Sequence, residues 1–314
     1  MRGKVIIGPK GEQPSGMKCT RCKEPAEIRL PSHNAKFCDP CFEKFFRAGV
    51  ERGLKMVGFS LETPLAMAVS GGKDSLACWD VLARLGAKVL GIHIDLGLGE
   101  FSSASIKAVK EFAAEKGLEF KIFELKEVFG YQIPEVARAT RLQTCSVCGT
   151  LKRSVLNRLA MAEGCPALAT GHHLDDETGR LVGNLIRHKT QYLDKFYPYL
   201  PSAHPHQAAR IKPLFRLDQN EIRAYCRIRG IRPAEGEGCP FSKGATSHYF
   251  QEAMAFLEDR MPGTKRDFLF TYLKGRKPPL EETFQTCSSC GQPTYGELCG
   301  VCRLQEKISE RTWA

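Results

Sequence analysis

The cysteines constrain this chain more than any other feature. It has 14 of them in 314 residues, and eight stand in CxxC pairs near its two ends. Cys19-Thr-Arg-Cys22 is followed after 15 residues by Cys38-Asp-Pro-Cys41, and Cys287-Ser-Ser-Cys290 after 8 residues by Cys299-Gly-Val-Cys302. In each pair the chain turns so that both thiolates face one cation, and two pairs complete a tetrahedral Cys₄ site. Zn²⁺ suits four thiolates, because it has no preferred geometry to violate and no redox chemistry. Two closed, structural zinc sites are therefore expected. Redox-active CxxC pairs would not account for the pairs coming in twos at finger spacing.

A third group is different. Cys145-Ser-Val-Cys148 is a single pair, and its nearest companion, Cys239 in Gly238-Cys239-Pro240, lies 90 residues further on. Three thiolates can hold a [4Fe–4S] cluster with one iron left open. They can also make a zinc site with a histidine, or a redox pair plus a bystander, and spacing leaves all three open. Cys78, Cys165 and Cys226 lie in apolar patterns and read as buried core.

Between the outer cysteines, strands alternate with helices. Apolar runs at 65–69, 88–94, 119–123 and 167–170 read as strands, with 211–214 extended. Helical patterns follow from Leu76 to Gly86, from Ser102 to Gly117, from Gly149 to Glu163, from near Leu174, and from Gln219 to Gly230. The pattern predicts an α/β fold, a parallel sheet with helices on both faces, whose ligands sit at the carboxyl ends of the strands. Residues 1–17 read as a tail, 18–50 as a front finger, 51–275 as the main domain and 284–314 as a rear finger, with 275–283 as a tether. With 42% hydrophobic and 26% charged residues the chain is globular and not disordered. No apolar run approaches the ~20 residues of a membrane span, and the N-terminal apolar stretch is too short for a signal peptide, so no membrane partner and a cytoplasmic location are expected.

Ser70-Gly71-Gly72-Lys73-Asp74-Ser75 stands where the first core strand meets the first helix. Its glycines let backbone N–H groups close on an anion, and the helix N-terminus adds partial positive charge. The spacing is not that of the Walker A loop. The formal charge of +11 suits a polyanionic partner. Basic residues recur in runs, among them Arg138, Arg141, Lys152, Arg153 and Arg158; Arg223, Arg227, Arg229 and Arg232; and Lys265, Arg266, Lys274, Arg276 and Lys277. Together they favour an RNA recognised by shape and phosphate.

SGGKDS resembles the PP-loop of the adenine-nucleotide alpha-hydrolase-like ATP pyrophosphatases, which split ATP between its α and β phosphates. The flanking Cys₄ fingers, Cys145-Ser-Val-Cys148-Gly-Thr-Leu-Lys152, Ala169-Thr-Gly171-His172-His173-Leu-Asp175-Asp176-Glu177 and the lone Cys239 resemble, in that order, the TtuA-type tRNA 2-thiouridine synthetases. His173 departs from the family's usual asparagine. The resemblance implies that Ser70, Gly71, Gly72, Lys73, Asp74 and Ser75 hold the pyrophosphate end of ATP, and that Ala68, Val69, Ile94 and Gly171 offer backbone contacts to adenosine. Lys152 and Asp176 would be catalytic and close to the nucleotide, with Asp175 a weaker candidate for the loop or for Mg²⁺. Cys145, Cys148 and Cys239 would hold a [4Fe–4S] cluster. The implied reaction adenylates the uridine C2 oxygen of tRNA and replaces it with sulfur, at position 54 first, with wobble uridine 34 or cytidine 32 as alternatives. A ubiquitin-like sulfur-carrier thiocarboxylate as donor and a homodimer are the family expectation. A PP-loop ligase or amidotransferase acting on a small molecule is the rival class, but nothing in it calls for the three central cysteines. A zinc-finger RNA-binding protein without catalysis is another, and the intact loop and Lys152 speak against it.

Overall fold

The computed structural model describes residues 6–7, 16–236, 238–241, 246–279 and 284–312. Most of the tail at 1–17 and residues 280–283 of the tether lie outside the described residues. At the front, β1 (Ile6–Ile7), β2 (Ile28–Leu30) and β3 (Ala35–Phe37) form an antiparallel sheet leading into α1 (Asp39–Met56). Pro40 sits in the first turn of α1, where no N–H partner is needed. The helix then buries Phe42, Phe45, Phe46, Gly49, Val50, Gly53 and Leu54, a stripe at three- and four-residue spacing. It runs through residue 50 without a break.

The core alternates β4 (Leu65–Ala68), α2 (Lys73–Arg84), β5 (Val89–Asp95), α3 (Glu100–Lys116) and β6 (Phe120–Glu124). Then come α4 (Leu125–Phe129), α5 (Ile133–Thr140), α6 (Thr144–Ala162), β7 (Ala167–Ala169), α7 (Leu174–Ile186), α8 (Thr190–Asp194), β8 (Tyr199–Leu200), β9 (Ala209–Ile211) and α9 (Gln219–Arg229). The six strands lie in the order β6-β5-β4-β7-β9-β8. All neighbouring pairs are parallel except β8 on β9, which is antiparallel. The predicted parallel sheet is thus a mostly parallel one closed at one edge by an antiparallel strand. The extended segment at 211–214 enters the sheet earlier than its residues suggested, because Pro213 has no N–H to donate to a ladder.

Two apolar bodies cover the sheet. One joins α1, α2 and α9, with Trp79, Phe46 and Tyr225 at its centre, and the Phe46 and Tyr225 rings stack 3.9 Å apart. The other joins α5 and α6 to the rear of the chain. There α10 (Thr246–Arg260) and α11 (Thr264–Leu273) pack on α7, and β10 (Gln285–Thr286), β11 (Pro293–Thr294) and α12 (Gly300–Thr312) follow. Val301, Leu304 and Ile308 of α12 share a core with Val147, Leu151 and Val155 of α6. Cys78, Cys165 and Cys226 are buried.

Trp79 fixes the spacing between α2 and β5. A β-carbon at Gly91 would stand 2.5 Å from the Trp79 ring, so the strand can approach only as glycine. Gly91→Ala is expected to destabilise the chain by about 1–3 kcal/mol or more, the usual cost of overpacking a close-packed core. Urea unfolding of the two proteins measures it.

Candidate active site

Neighbouring parallel strands β5, β4 and β7 end on one side of the sheet, and the residues of the loop motif and of the His-His-Leu-Asp-Asp stretch begin there. Gly71 adopts φ +80°, and a β-carbon there would lie 2.8 Å from the Ser105 carbonyl oxygen of α3. Gly72 caps α2, so the N–H groups of the first helical turn, from Lys73 on, have no intrahelical partner and point out of the end of the helix. Ser75 Oγ accepts from Ser70 N–H at 3.1 Å and donates to the Gly72 carbonyl at 2.9 Å, bracing the loop from within. Lys73 lies over the Asp74 carboxylate at 2.7 Å and 2.8 Å. The loop therefore presents one paired charge and several unpaired N–H groups.

The adenosine-side candidates sit on the same rim. Ala68 ends β4, Ile94 lies near the end of β5, and Gly171 follows β7. Val69 donates its N–H to Ile92 at 2.9 Å, and its carbonyl accepts from buried His93 Nδ1 at 2.8 Å. Gly171 lies against the loop itself, where a β-carbon would be 2.9 Å from the backbone of Asp74 and Ser75.

The start of α7 is built from its first acids. His173 caps the helix, its Nδ1 accepting from Asp175 N–H at 3.3 Å while Asp176 Oδ2 accepts from His173 N–H at 3.0 Å. The His173 ring lies among Asp74 (3.7 Å), Asp175 (3.2 Å) and Asp176 (3.5 Å). Burial alone would lower its pKa, but the hydrogen bond to Asp175 and the charges of Asp176 and Asp74 raise it. Asp175 is buried and fully engaged, with Oδ1 on Lys265 Nζ at 2.6 Å and Oδ2 on Gln219 N–H at 2.9 Å. Asp175 is thus a brace inside the fold, with both oxygens engaged by neighbouring elements. Asp176 is half-exposed and held by Gln251 Nε2 at 2.9 Å. It lines a cavity of about 300 Å³ between α7 and α10, with His172, Arg180, Arg187 and Phe250.

Cys145 and Cys148 sit in the first turns of α6, and Lys152 is exposed one turn on, with no ion-pair partner among the described residues. The Cys145 thiol donates to the Phe241 carbonyl at 3.0 Å, which ties the Cys239 segment to the helix start. Burial raises the Cys148 pKa; Lys152 opposes this, and Cys239 and Cys145 add to it, so the three sulfurs share one electrostatic field. The two outer groups are tighter. Cys19, Cys22, Cys38 and Cys41, and Cys287, Cys290, Cys299 and Cys302, each bring four ligand atoms within 4.8 Å of one another, and each group could hold a metal ion. Against the desolvation of burial, N–H groups of Cys22, Cys38 and Arg21 lower the Cys19 thiol to about 6. Cys287 is lowered likewise, against burial, by N–H groups of Cys299, Cys290 and Ser289.

Part of the basic inventory turns inward. Lys265 is buried on Asp175, Arg227 bridges Glu27 and Asp39, Arg229 binds Asp80, and Arg266 binds Glu221. These cations hold elements together and are not free to meet an RNA, since a run of basic residues in sequence does not say which face each one takes. Gln251 and Gln219 gave no sequence signal as partners of the α7 acids, and Lys265 read only as one of a basic run, because each lies dozens of residues from its partner.

Known proteins resolve the family. Residues 49–238 match the PP-loop domain, and residues 18–43 match the N-terminal LIM domain of 2-thiouridine synthetase TtuA. The tRNA-5-methyluridine(54) 2-sulfurtransferase of Thermus thermophilus is 40% identical to this chain over 300 residues, covering 94% of this chain and 93% of that one. This chain belongs to the tRNA 2-sulfurtransferase family of PP-loop enzymes. A Pyrococcus horikoshii protein described in the same words is 34% identical over 92% of this chain and 93% of its own. Among solved structures, the U34-tRNA thiolase NcsA from Methanococcus maripaludis with its [4Fe-4S] cluster superposes with a TM-score of 0.80 at 27% identity, over 93% of this chain and 96% of that one. No helix among the described residues of the sulfurtransferase is long and apolar enough to cross a membrane.

Two outcomes follow from this geometry. Gly171→Ala should push the loop off its position and weaken ATP binding roughly ten- to a hundredfold, the equivalent of about 1–3 kcal/mol, as read by calorimetry. Lys265→Met removes the lysine partner of the buried Asp175 charge, leaving it to His173 and the Gln219 N–H, and should cost about 3 kcal/mol at pH 7. In the native fold the His173 hydrogen bond, with the Lys265 charge beside it, holds the Asp175 carboxyl well below the usual carboxylate range against its burial. Its contribution is therefore full above the unfolded value of about 4 and is lost as pH falls toward the folded one. The gap between wild type and Lys265→Met in urea titrations should narrow below about pH 4.

Proposed function

We propose that the chain thiolates a uridine of tRNA at C2, at position 54, with ATP split to AMP and pyrophosphate. The observation that carries this reading is the convergence of the loop motif, Asp176 and the cysteine-bearing start of α6 at one edge of the sheet. The 40% identity to a protein described as acting on 5-methyluridine 54 supports the position. The structural match to a U34 thiolase keeps the wobble position as the second reading.

The chemistry has two needs, a good leaving group on the uracil oxygen and a sulfur nucleophile kept from water. In the first step the C2 oxygen bonds to the α-phosphorus, the bond to pyrophosphate breaks, and the N3 proton must leave. Ser70, Gly71, Gly72, Asp74 and Ser75 hold the departing pyrophosphate, with Lys73 in the loop and Ala68, Val69, Ile94 and Gly171 along the adenosine. Lys152, exposed and beside Cys148, offsets charge on the α-phosphate. Asp176 is aimed into a cavity large enough for a base and serves as acceptor for the N3 proton. Mg²⁺ would share the phosphate charge.

The donor set of Cys145, Cys148 and Cys239 fits a cluster better than a single ion. Their sulfurs are not all within 4.8 Å of one another, as those of the two Cys₄ groups are. A mononuclear ion gathers its thiolates to a point, whereas a cube spreads them over separate irons. Cys145, Cys148 and Cys239 would hold a [4Fe–4S] cluster, which would supply an iron open to sulfide. We assign the two Cys₄ groups to zinc, the sulfur to a ubiquitin-like carrier thiocarboxylate, the assembly to a homodimer and the location to the cytoplasm, which the family resemblance supports.

With tRNA and Mg²⁺ the protein should release AMP and pyrophosphate, and Asp74→Ala and Lys152→Ala should each lower turnover about 100-fold or more. Release of ADP and phosphate would overturn the assignment. Nucleoside analysis of tRNA from a deletion strain should show loss of 2-thiolation at position 54 with position 34 intact; the converse selects the wobble reading. Metal analysis should find about two zinc ions per chain, one fewer in Cys287→Ser.

A further inference from the structure

We propose that Arg158 of α6 is part of the rear metal site. It hydrogen-bonds the Cys290 sulfur, offsets the charge of the loaded Cys₄ group, and so lets the main domain set how tightly the rear unit holds its metal. The inference rests on the assignment of that group to zinc and adds to it the cation that completes the site. Arg158 Nη2 donates to Cys290 Sγ at 3.1 Å. Cys290 is one of the four rear residues whose ligand atoms lie within 4.8 Å of one another. Four thiolates outweigh one divalent cation, so a loaded site is anionic and its sulfurs are strong acceptors. A guanidinium suits such a place because it keeps its charge and is weakly hydrated. Arg158 Nε is buried and has no hydrogen-bond partner among the described residues, so this side of the cation has left water. A charge placed there needs an opposite charge beside it, which the loaded sulfur supplies.

Helix periodicity and packing together hold Arg158 on that sulfur. It stands three residues after Val155 and seven after Leu151, on the side of α6 that shares a core with Val301, Leu304 and Ile308 of α12. The preceding residue, Asn157, is buried and fixes the same seam. It donates to Gln292 Oε1 at 3.3 Å and to the His206 carbonyl at 2.8 Å, while its Oδ1 accepts from Ala208 N–H at 2.9 Å. The Gln292 carbonyl in turn accepts from Cys287 N–H at 2.9 Å, so hydrogen bonds run from α6 into the Cys287–Cys290 pair. A β-carbon at Gly300 would stand 2.8 Å from Thr150 Cγ2, so α12 seats closely on α6. The front unit is fastened differently. There Arg227 of α9 meets the carboxylates of Glu27 and Asp39 at 3.0 Å and 2.6 Å. The front site therefore serves as an internal control.

The test uses the full chain and zinc itself. Competition with a chromophoric chelator should show Arg158→Met holding one zinc ion about ten- to a hundredfold more weakly than wild type, the usual effect of losing a hydrogen-bond partner of a metal ligand, with the other ion unchanged. Cys287→Ser, which lacks the rear site, identifies the unchanged ion as the front one. Arg158→Gln keeps an N–H donor without the charge; it should weaken the rear ion about tenfold and carries the test where the methionine variant does not fold. Arg158→Lys, which keeps the charge, should recover most of the loss. Cobalt in place of zinc reads the sulfur directly. The rear-site spectrum, taken as the difference from the same chain with Cys287→Ser, carries a sulfur-to-cobalt charge-transfer band. That band should move to longer wavelength in Arg158→Met, because losing the N–H donor raises the energy of the sulfur electrons. Equal rear-site affinity and an unmoved band would overturn the proposal while leaving the zinc assignment standing. Weaker zinc with an unmoved band would overturn it in favour of packing alone. Absence of a second zinc ion in wild type would sink the zinc assignment and the proposal with it.

Discussion

The contact of Gly171 with the backbone of Asp74 and Ser75 sets the geometry on which the rest of the site depends. It forces the chain leaving β7 against the first turn of α2, so two segments a hundred residues apart become one surface. Everything downstream follows from how α7 leaves that contact. His173 caps α7 and simultaneously faces Asp74, so the loop and the helix start are joined by a side chain as well as by packing. Asp175 then anchors the helix inward on Lys265 of α11 and Gln219 of α9. That leaves Asp176, the next residue, turned outward onto the cavity with Gln251 behind it. Two adjacent acids thus take opposite duties because a helix turns about 100° per residue.

Much of this architecture was legible in local signals. Asp218 and Gly230 bracket α9, and Gly117 closes α3 in a left-handed conformation, as the residue types suggest. The strands β4, β5, β6 and β7 announce themselves as short apolar runs, and the SGGKDS loop falls between β4 and α2 as read. What was not legible depends on distance in the fold. The α6 helix starts at Thr144, five residues before the Gly149 at which its apolar pattern begins, so the Cys145–Cys148 pair lies in its first turns. The antiparallel strand β8 is only two residues long, too short for any periodicity to register. The division of the basic residues into inward braces and outward contacts, Lys265 against Arg303 for instance, is a matter of which tertiary partner each meets.

The cysteines show the same limit from another side. CxxC reads alike in all its copies, yet the outer groups draw four sulfurs together while Cys145, Cys148 and Cys239 remain a looser set tied through Phe241. The difference comes from the backbone. In the outer groups, N–H groups aim at the sulfurs and stabilise thiolate, as at Cys19 and Cys287. At the start of α6, burial disfavours the Cys148 thiolate and Lys152 works against it. A site of that kind holds charge only with help from a cation, and Lys152 stands one helical turn away.

The outer units are not appendages that the core could lose without consequence. Phe46 of α1 stacks on Tyr225 of α9, and Arg227 of α9 bridges Glu27 and Asp39 at the front. Through α9 the front unit therefore touches the helix whose first N–H groups hold Asp175 and Asp218 in place. At the rear, Arg158 of α6 donates to Cys290 Sγ at 3.1 Å, and the apolar face of α12 completes the core around α6. Each Cys₄ unit is thus fastened to a helix that carries a candidate site residue or its brace: α9 behind Asp175, and α6 beneath Lys152. These contacts make both Cys₄ units part of the scaffold that holds α6 and α9 in place at the sheet.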